Sequence, residues 1–209
     1  MNSKPVDEKA VLSAISLKLA SLGFKKQKSG IHIMNVSPDI LFWIGLNKST
    51  KHGVVDINAV VGIRNQEIER MVANACGEKF DDLMPPTLAG NIGYIMPDCK
   101  YSQFSFSDNE SIEASAELFK NKISEFAIPF MNKIKNVSAL IDVMLKVNFG
   151  INEQASYRIP VAYLLNNDTE LARDYLNKRL KFIGSRADPA AERYKGFAGK
   201  IFLFMNPDK

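Results

Sequence analysis

The sequence of 209 residues predicts an α+β fold, with about five mostly antiparallel strands packed with helices and a C-terminal helical subdomain. One amphipathic helical pattern comes first, and five short strand patterns follow it. From about Ser107 onward the sequence shows only helical periodicity. Because the strands are grouped apart from the helices, an alternating α/β architecture is disfavoured. We predict an α+β domain over residues 1–150 and a helical subdomain over 151–209 that packs on it.

The first helix is predicted over residues 9–22, where apolar residues recur every three to four positions. These residues are Val11, Leu12, Ile15, Leu19 and Leu22. Gly23 is placed to end the helix in a left-handed conformation. The lysines that follow, Lys25, Lys26 and Lys28, are expected in a solvated connector.

Strand patterns then alternate with turn signals, which is typical of an antiparallel meander. The predicted strands cover residues 31–36, 40–47, 54–63, 90–96 and 101–107. The almost continuously apolar second strand is expected at the centre of the sheet. Residues 49–53 are expected to form a polar loop. A short helix is predicted over 65–76, with Gly77 ending it.

The remaining sequence predicts helices. Ser107 and Glu110 have the spacing of a capping box, and a helix with one apolar face is expected from there to Ile134. Pro129 should kink or split that helix. Further helices are predicted over 137–147, 156–166, 168–182 and from Pro189 to about Met205, with a hinge over 148–154.

Composition indicates an ordinary globular protein, at 46% hydrophobic and 24% charged residues. Cys76 and Cys99 are too few for a disulfide framework, and two free thiols in a reducing cytoplasm are expected. The charged N-terminal segment lacks an apolar signal core, and the sequence has no run of eighteen apolar residues. We therefore expect a cytoplasmic protein without a membrane partner.

The net charge of +4 is unevenly distributed along the chain. Residues 1–64 carry +5, residues 65–150 carry −4 and residues 151–209 carry +3. Such polarity can steer a charged partner, but it lacks the dense basic stripe of a typical nucleic-acid-binding protein.

The sequence shows no recognisable catalytic or metal-binding constellation. His32 and His52 are the two histidines, and they have no third ligand placed nearby. The acidic pairs Glu67 with Glu69 and Asp81 with Asp82 lie in solvated segments rather than apolar ones. We predict a protein that is not an enzyme, with no catalytic, cofactor-binding or metal-binding residues and no cofactor.

Candidate partner-binding residues come from the first part of the chain. Basic and aromatic side chains occur together there, and two polar residues lie on one face of the predicted third strand. The candidates are Lys25, Lys26, Lys28, Trp43, Asp56 and Asn58. Another protein is the expected partner. The alternatives are a nucleic-acid-associated protein that uses the basic region 25–51, and a hydrolase with an unrecognised site in which Asp56 is indispensable.

The segment Leu19-x-x-Leu22-Gly23-Phe24-Lys25-Lys26, followed by apolar strands with a tryptophan, resembles the opening of a group of uncharacterised bacterial domain-of-unknown-function proteins. In that immunity-like α+β group a first helix ends in Gly-Phe-Lys-Lys before an antiparallel sheet, and helices complete the chain. The resemblance covers roughly residues 9–145. It implies a bacterial protein that neutralises a toxin through protein–protein interaction.

Overall fold

The computed structural model describes residues 5–28, 30–146 and 152–206. It confirms the predicted α+β class, with a six-stranded and mostly antiparallel sheet. The chain forms two compact units, each discontinuous in sequence. The first unit comprises Met1–Ile63 and Ala89–Lys133, and the second comprises Arg64–Leu88 and Ile134–Lys209. This division differs from the linear one at residue 150 that the sequence predicts.

The first unit contains most of the sheet and the helices beside it. Its strands are β1 (Lys25–Lys26), β2 (Ile31–Asn35), β3 (Ile40–Lys51), most of β4 (Val54–Asn65), most of β5 (Leu88–Asn91) and β6 (Phe104–Phe106). Its helices are α1 (Glu8–Ser21), α3 (Ile112–Lys122) and α4 (Ile128–Asn132). The second unit contains α2 (Gln66–Cys76), α5 (Val137–Lys146), α6 (Asn152–Leu165), α7 (Thr169–Ile183) and α8 (Pro189–Met205).

The sheet has the strand order β1-β2-β3-β4-β5, and β6 also pairs with β4. The sequence predicts a simple meander, and this prediction is wrong at both ends. Lys25 and Lys26, expected in a connector, form the short edge strand β1 against β2. At the other end, a 3₁₀ turn over Ile92–Ile95 ends β5 early, and β6 pairs with β4 instead of β5.

Strands β3 and β4 form a longer hairpin than the sequence predicts. Residues 49–51, expected in a loop, continue β3 as exposed strand. The connection is only His52 and Gly53, with φ values of 49° and 79°. Positive φ at both central residues is the geometry of a type I′ turn, which matches the twist of paired strands. Polar residues at this end of β3 therefore mark a solvated strand rather than a loop.

Helix α1 confirms the first predicted helix. Asp7 caps it by accepting a hydrogen bond from the Lys9 amide at 2.9 Å. Gly23 follows with a φ of 93°, as expected for a residue that turns the chain out of a helix. Phe24 then returns to the core at 2% exposure.

The predicted long helix from Ser107 is interrupted. It begins at Ile112 without a side-chain cap, so the capping box at Ser107 is not formed. Pro129 lies in the first turn of α4, directly after a π-helical turn over Ile123–Ala127. Proline cannot donate a backbone hydrogen bond and its ring clashes with the preceding turn, which explains the interruption. After this wider turn, the buried residues of the helix are Ala127 and Met131.

The second unit confirms the helical patterns of the C-terminal third. Asp188 caps α8 by accepting from the Ala191 amide at 3.1 Å, and Pro189 occupies the first turn. Of the hinge predicted over 148–154, residues 147–151 lie outside the described residues and 152–154 belong to α6. Within the described ranges, no helix combines the length and apolar character required to cross a membrane.

Candidate functional site

The second unit contains a cavity of about 390 Å³, and every residue that lines it belongs to this unit. Strand β4 ends at its edge, and α2, α6, α7 and α8 supply most of its walls. Among the described residues, the basic side chains that line it are Arg64, Lys79, Arg158, Arg179, Arg186 and Arg193. The acidic ones are Glu69, Glu78 and Asp81. The lining therefore has a surplus of three positive charges.

A buried ion pair joins α2 to α6 at this cavity. Arg158 donates to both carboxylate oxygens of Glu69, from Nε at 2.7 Å and from Nη2 at 3.0 Å. Both side chains are 4% exposed. The bidentate geometry fixes the guanidinium plane and neutralises the Glu69 charge within the protein.

Arg64 is completely buried at the end of β4. Its guanidinium donates to the backbone carbonyls of Asp81 and Pro85, and its Nε donates to Gln66 Oε1 at 2.8 Å. These acceptors are uncharged, so the hydrogen bonds of Arg64 are satisfied without a carboxylate in contact. Burial lowers the pKa of Arg64, and the nearby Glu69 carboxylate opposes that effect. Arg64 therefore contributes buried positive charge to the cavity.

Two exposed arginines lie farther out, and both have acidic partners. Arg193 pairs with Glu78, and Arg186 Nε lies 2.8 Å from Asp188 Oδ2. The Arg186 guanidinium and the Ala191 amide hold the pKa of the Asp188 carboxyl below its usual value. The charges of these two arginines are thus largely balanced by neighbours.

Arg179 on α7 differs from the other arginines of the cavity. It is half-buried, and its Nε is buried without a hydrogen-bond partner among the described residues. Its guanidinium carbon lies 5.2 Å from the ring centre of Phe182 and 5.9 Å from that of Tyr194. Aromatic faces stabilise the cation but do not replace a hydrogen-bond acceptor. Arg179 therefore presents donor capacity that the described protein groups do not use.

Aromatic side chains form another part of the cavity wall. Tyr157 packs edge-on against Tyr194 and Phe197, with ring centres 5.1 and 4.8 Å apart. The Tyr194 hydroxyl donates to the Ser156 carbonyl at 3.2 Å. Burial raises the pKa of Tyr194 well above its ordinary value. Tyr157 is half-buried and held in place by these neighbours.

Cys76, at the end of α2, also lines the cavity. Its thiol is free, as the sequence predicts, and burial raises its pKa. Cys99 is likewise free but exposed, and it belongs to the first unit. The two thiols therefore lie in different environments of the same chain.

The basic candidates from the sequence lie elsewhere, in the first unit. Lys25, Lys26 and Lys28 are exposed, with the first two on edge strand β1. Trp43 is only 5% exposed, and its ring lies over Gly45 of the same strand. Lysines on an edge strand are a common protection against edge-to-edge pairing. The structure therefore does not bring Trp43 and the lysines together as an exposed contact surface.

The polar candidates on β4 bond to neighbouring segments of the first unit. Asp56 accepts a hydrogen bond from Ser105 Oγ at 2.5 Å, opposite it on β6. Asn58 Oδ1 accepts from Asn91 Nδ2 at 2.6 Å. These bonds account for both side chains as links between strands of the sheet.

The histidines do not form a metal site. His32 is 1% exposed and its Nε2 lies 3.1 Å from Ser16 Oγ, while His52 is exposed in the hairpin turn. The described residues contain no group of three or more histidine, cysteine or carboxylate side chains placed to hold a metal ion.

Sequence reasoning missed the cavity because its walls come from segments far apart in the chain. Arg64 directly follows the apolar run of β4, and Arg158 stands directly before Ile159-Pro160-Val161-Ala162, so a charge beside an apolar run was the available signal. The sequence does not indicate that these two arginines line the same cavity. Comparison with protein-family models, curated protein sequences and solved structures finds no match to this chain.

Proposed function

We propose that this chain is a binding protein that holds a small anionic ligand in the arginine-lined cavity of its second unit and does not act as an enzyme. The observation that carries this proposal is the buried Nε of Arg179, which has no hydrogen-bond partner among the described residues, in a lining whose described residues include six basic and three acidic side chains. Buried positive charge is costly unless an anion compensates it. A negatively charged ligand supplies that compensation.

The three acidic residues already have partners, which supports the proposal. Arg158 engages Glu69, and Arg193 engages Glu78. The Asp81 carboxylate accepts hydrogen bonds from the amides of Leu83 and Met84 at 2.8 and 3.0 Å. The Glu69 and Glu78 carboxylates are therefore already engaged by Arg158 and Arg193.

Arg179 is the residue best placed to contact the ligand. A guanidinium presents donors in a planar fork that matches the oxygens of a carboxylate or phosphate. The partly buried position makes such a contact stronger than it would be in bulk water. The cavity volume of about 390 Å³ lies within the range of small-molecule sites, roughly 300–1,000 Å³.

This proposal keeps the expectation of a non-enzymatic binding protein and moves the binding residues from the first unit to the second. The toxin-neutralising role is supported by the sequence resemblance alone. The nucleic-acid alternative relied on aromatic rings beside the basic segment, and the burial of Trp43 at 5% exposure weakens it.

The test is isothermal titration calorimetry with AMP, ribose 5-phosphate and pyrophosphate at low and moderate salt. We expect at least one anion to bind, with an affinity that falls as salt rises. Arg179→Gln should weaken binding about 10- to 100-fold, the effect of losing a charged hydrogen bond of about 1.5–3 kcal/mol. Arg173→Gln is the matched control, because Arg173 lies on the same helix and does not line the cavity.

A second measurement places the ligand. Binding should slow alkylation of Cys76, which lines the cavity, and leave Cys99 unaffected. The proposal is wrong if no nucleoside monophosphate, ribose 5-phosphate or pyrophosphate binds. It is also wrong if Arg179→Gln binds as tightly as the unmodified chain, which is the result expected of the control Arg173→Gln.

A further inference from the structure

The walls of the cavity combine guanidinium groups with aromatic rings. The Arg193 guanidinium carbon lies 5.7 Å from the ring centre of Tyr157, and that of Arg64 lies 5.4 Å from the ring centre of Phe80. Planar cations and aromatic rings are the two surfaces on which proteins stack nucleobases. A purely inorganic anion makes no use of such walls.

Tyr157 is the wall residue suited to stacking. Its ring makes T-shaped contacts with Tyr194 and Phe197, so it loses little conformational freedom when a ligand binds. Tyr157 is only half-buried, whereas Tyr194 is 3% exposed and tied to the Ser156 carbonyl. Tyr157 therefore contributes a partly exposed ring, fixed by its neighbours, to the cavity wall.

Arg179 is placed to bind the anionic group of a ligand whose planar ring contacts Tyr157. Its Nε is buried and lacks an acceptor among the described residues, and its guanidinium lies beside Tyr194. Tyr194 in turn packs against Tyr157. One compact ligand can therefore place an anionic group on Arg179 and a planar ring against Tyr157.

We propose that the cavity takes a nucleoside monophosphate, with its phosphate on Arg179 and its base against Tyr157. This inference rests on the proposed function and names the class of its ligand. A cavity of about 390 Å³ suits one nucleotide rather than an oligonucleotide. Phosphate supplies the oxygens for the guanidinium fork, and the base supplies the π surface for the aromatic wall.

The experiment compares AMP, GMP, CMP and UMP with ribose 5-phosphate and adenosine by calorimetry on the full chain. At least one nucleoside monophosphate should bind about 5-fold or more tightly than ribose 5-phosphate, since a base that stacks on an aromatic side chain adds to the affinity. Adenosine should bind more weakly than AMP. Removing the aromatic ring with Tyr157→Leu should lower nucleotide affinity to that of ribose 5-phosphate without changing the latter.

Two further variants separate stacking from folding. Tyr157→Phe keeps the ring and should bind nucleotides as the unmodified chain does. Tyr163→Leu removes a half-buried tyrosine of α6 that does not line the cavity, and it should also retain binding. Far-ultraviolet circular dichroism checks that each variant is folded.

The outcomes distinguish this inference from the proposed function. If ribose 5-phosphate or pyrophosphate binds as tightly as every nucleoside monophosphate, the base has no role and the inference is overturned, while anion binding stands. Adenosine binding as tightly as AMP overturns the assignment of phosphate to Arg179. If no anion binds, the inference and the proposed function fail together.

Discussion

Arg158 donates two hydrogen bonds to Glu69, and 89 residues separate these two almost completely buried side chains in sequence. Each charge is tolerated in the interior only because the other is present. The pair also positions two walls of the candidate site, since one member lies on α2 and the other on α6.

Glu69→Gln should lower the free energy of unfolding by about 3–5 kcal/mol, because it leaves the Arg158 charge buried without its carboxylate. Urea unfolding followed by circular dichroism measures the change. The double variant Glu69→Met with Arg158→Met removes both charges and should be destabilised much less than the sum of the single variants. A single variant that is no less stable than the double would contradict this explanation.

Stability should decrease as pH falls below neutrality, because of His32. Burial lowers the pKa of His32 in the folded chain, and Lys26, opposite it on β1, acts in the same direction. The unfolded chain, with a histidine pKa of about 6.5, therefore binds protons first. The His32 contribution is fully present above pH 6.5 and is lost as pH falls through 6.5 towards the lowered folded value.

Urea unfolding at several pH values between 5.5 and 8 tests this dependence. His32→Leu should flatten the slope of stability with pH in that range. His52→Asn is the control, because it removes the exposed turn histidine at a position of positive φ that asparagine tolerates and leaves His32 in place. An unchanged slope in His32→Leu would assign the pH dependence to other groups.

Gly45→Ala should destabilise the first unit by about 1–3 kcal/mol. A Cβ atom at position 45 would overlap the ring of Trp43, which is rigid and buried and cannot move aside cheaply. Gly196→Ala on α8 is the matched control, since a Cβ there meets no atom within 4 Å. That substitution should raise stability by about 0.5–1 kcal/mol through helix propensity. Thermal unfolding compares the two, and the same sign for both would rule out the proposed overlap.

Cys76 should react with iodoacetamide more slowly than the exposed Cys99, and in the folded chain it should need a higher pH than in urea to reach its maximal rate. Burial raises the pKa of Cys76, and the thiolate is the reactive form. Peptide mass spectrometry of samples quenched over time gives both rates from one chain. In urea the two thiols should react at similar rates. Equal rates in the folded chain would contradict the burial of Cys76.

The fold was largely predictable because hydrophobic periodicity is a local property of the sequence. The pattern from Val11 to Leu22 gave α1, and Asp188-Pro189 gave the start of α8. Local patterns do not reveal which strand pairs with which. The sequence therefore indicated the strand at Phe104–Phe106 but not its pairing with β4.

The candidate site was not predictable from the same patterns. Its ion pair joins residues 69 and 158, and charge pairing across such a separation leaves no periodic signal. Leu171 illustrates a related limit, because its helical spacing with Tyr175 fits the apolar face of α7 while the structure leaves it 50% exposed. Spacing identifies a candidate face, but packing decides which of its residues are buried.

The discontinuous composition of the second unit has a consequence for synthesis of the chain. Its first segment, Arg64–Leu88, leaves the ribosome before the last segment of the first unit, Ala89–Lys133, has been made. Helix α2 is therefore synthesised before its partner α6, and in a fragment ending at residue 133 Glu69 would have no Arg158 with which to pair. The arginine-lined cavity can form only after the chain has been translated past Arg193.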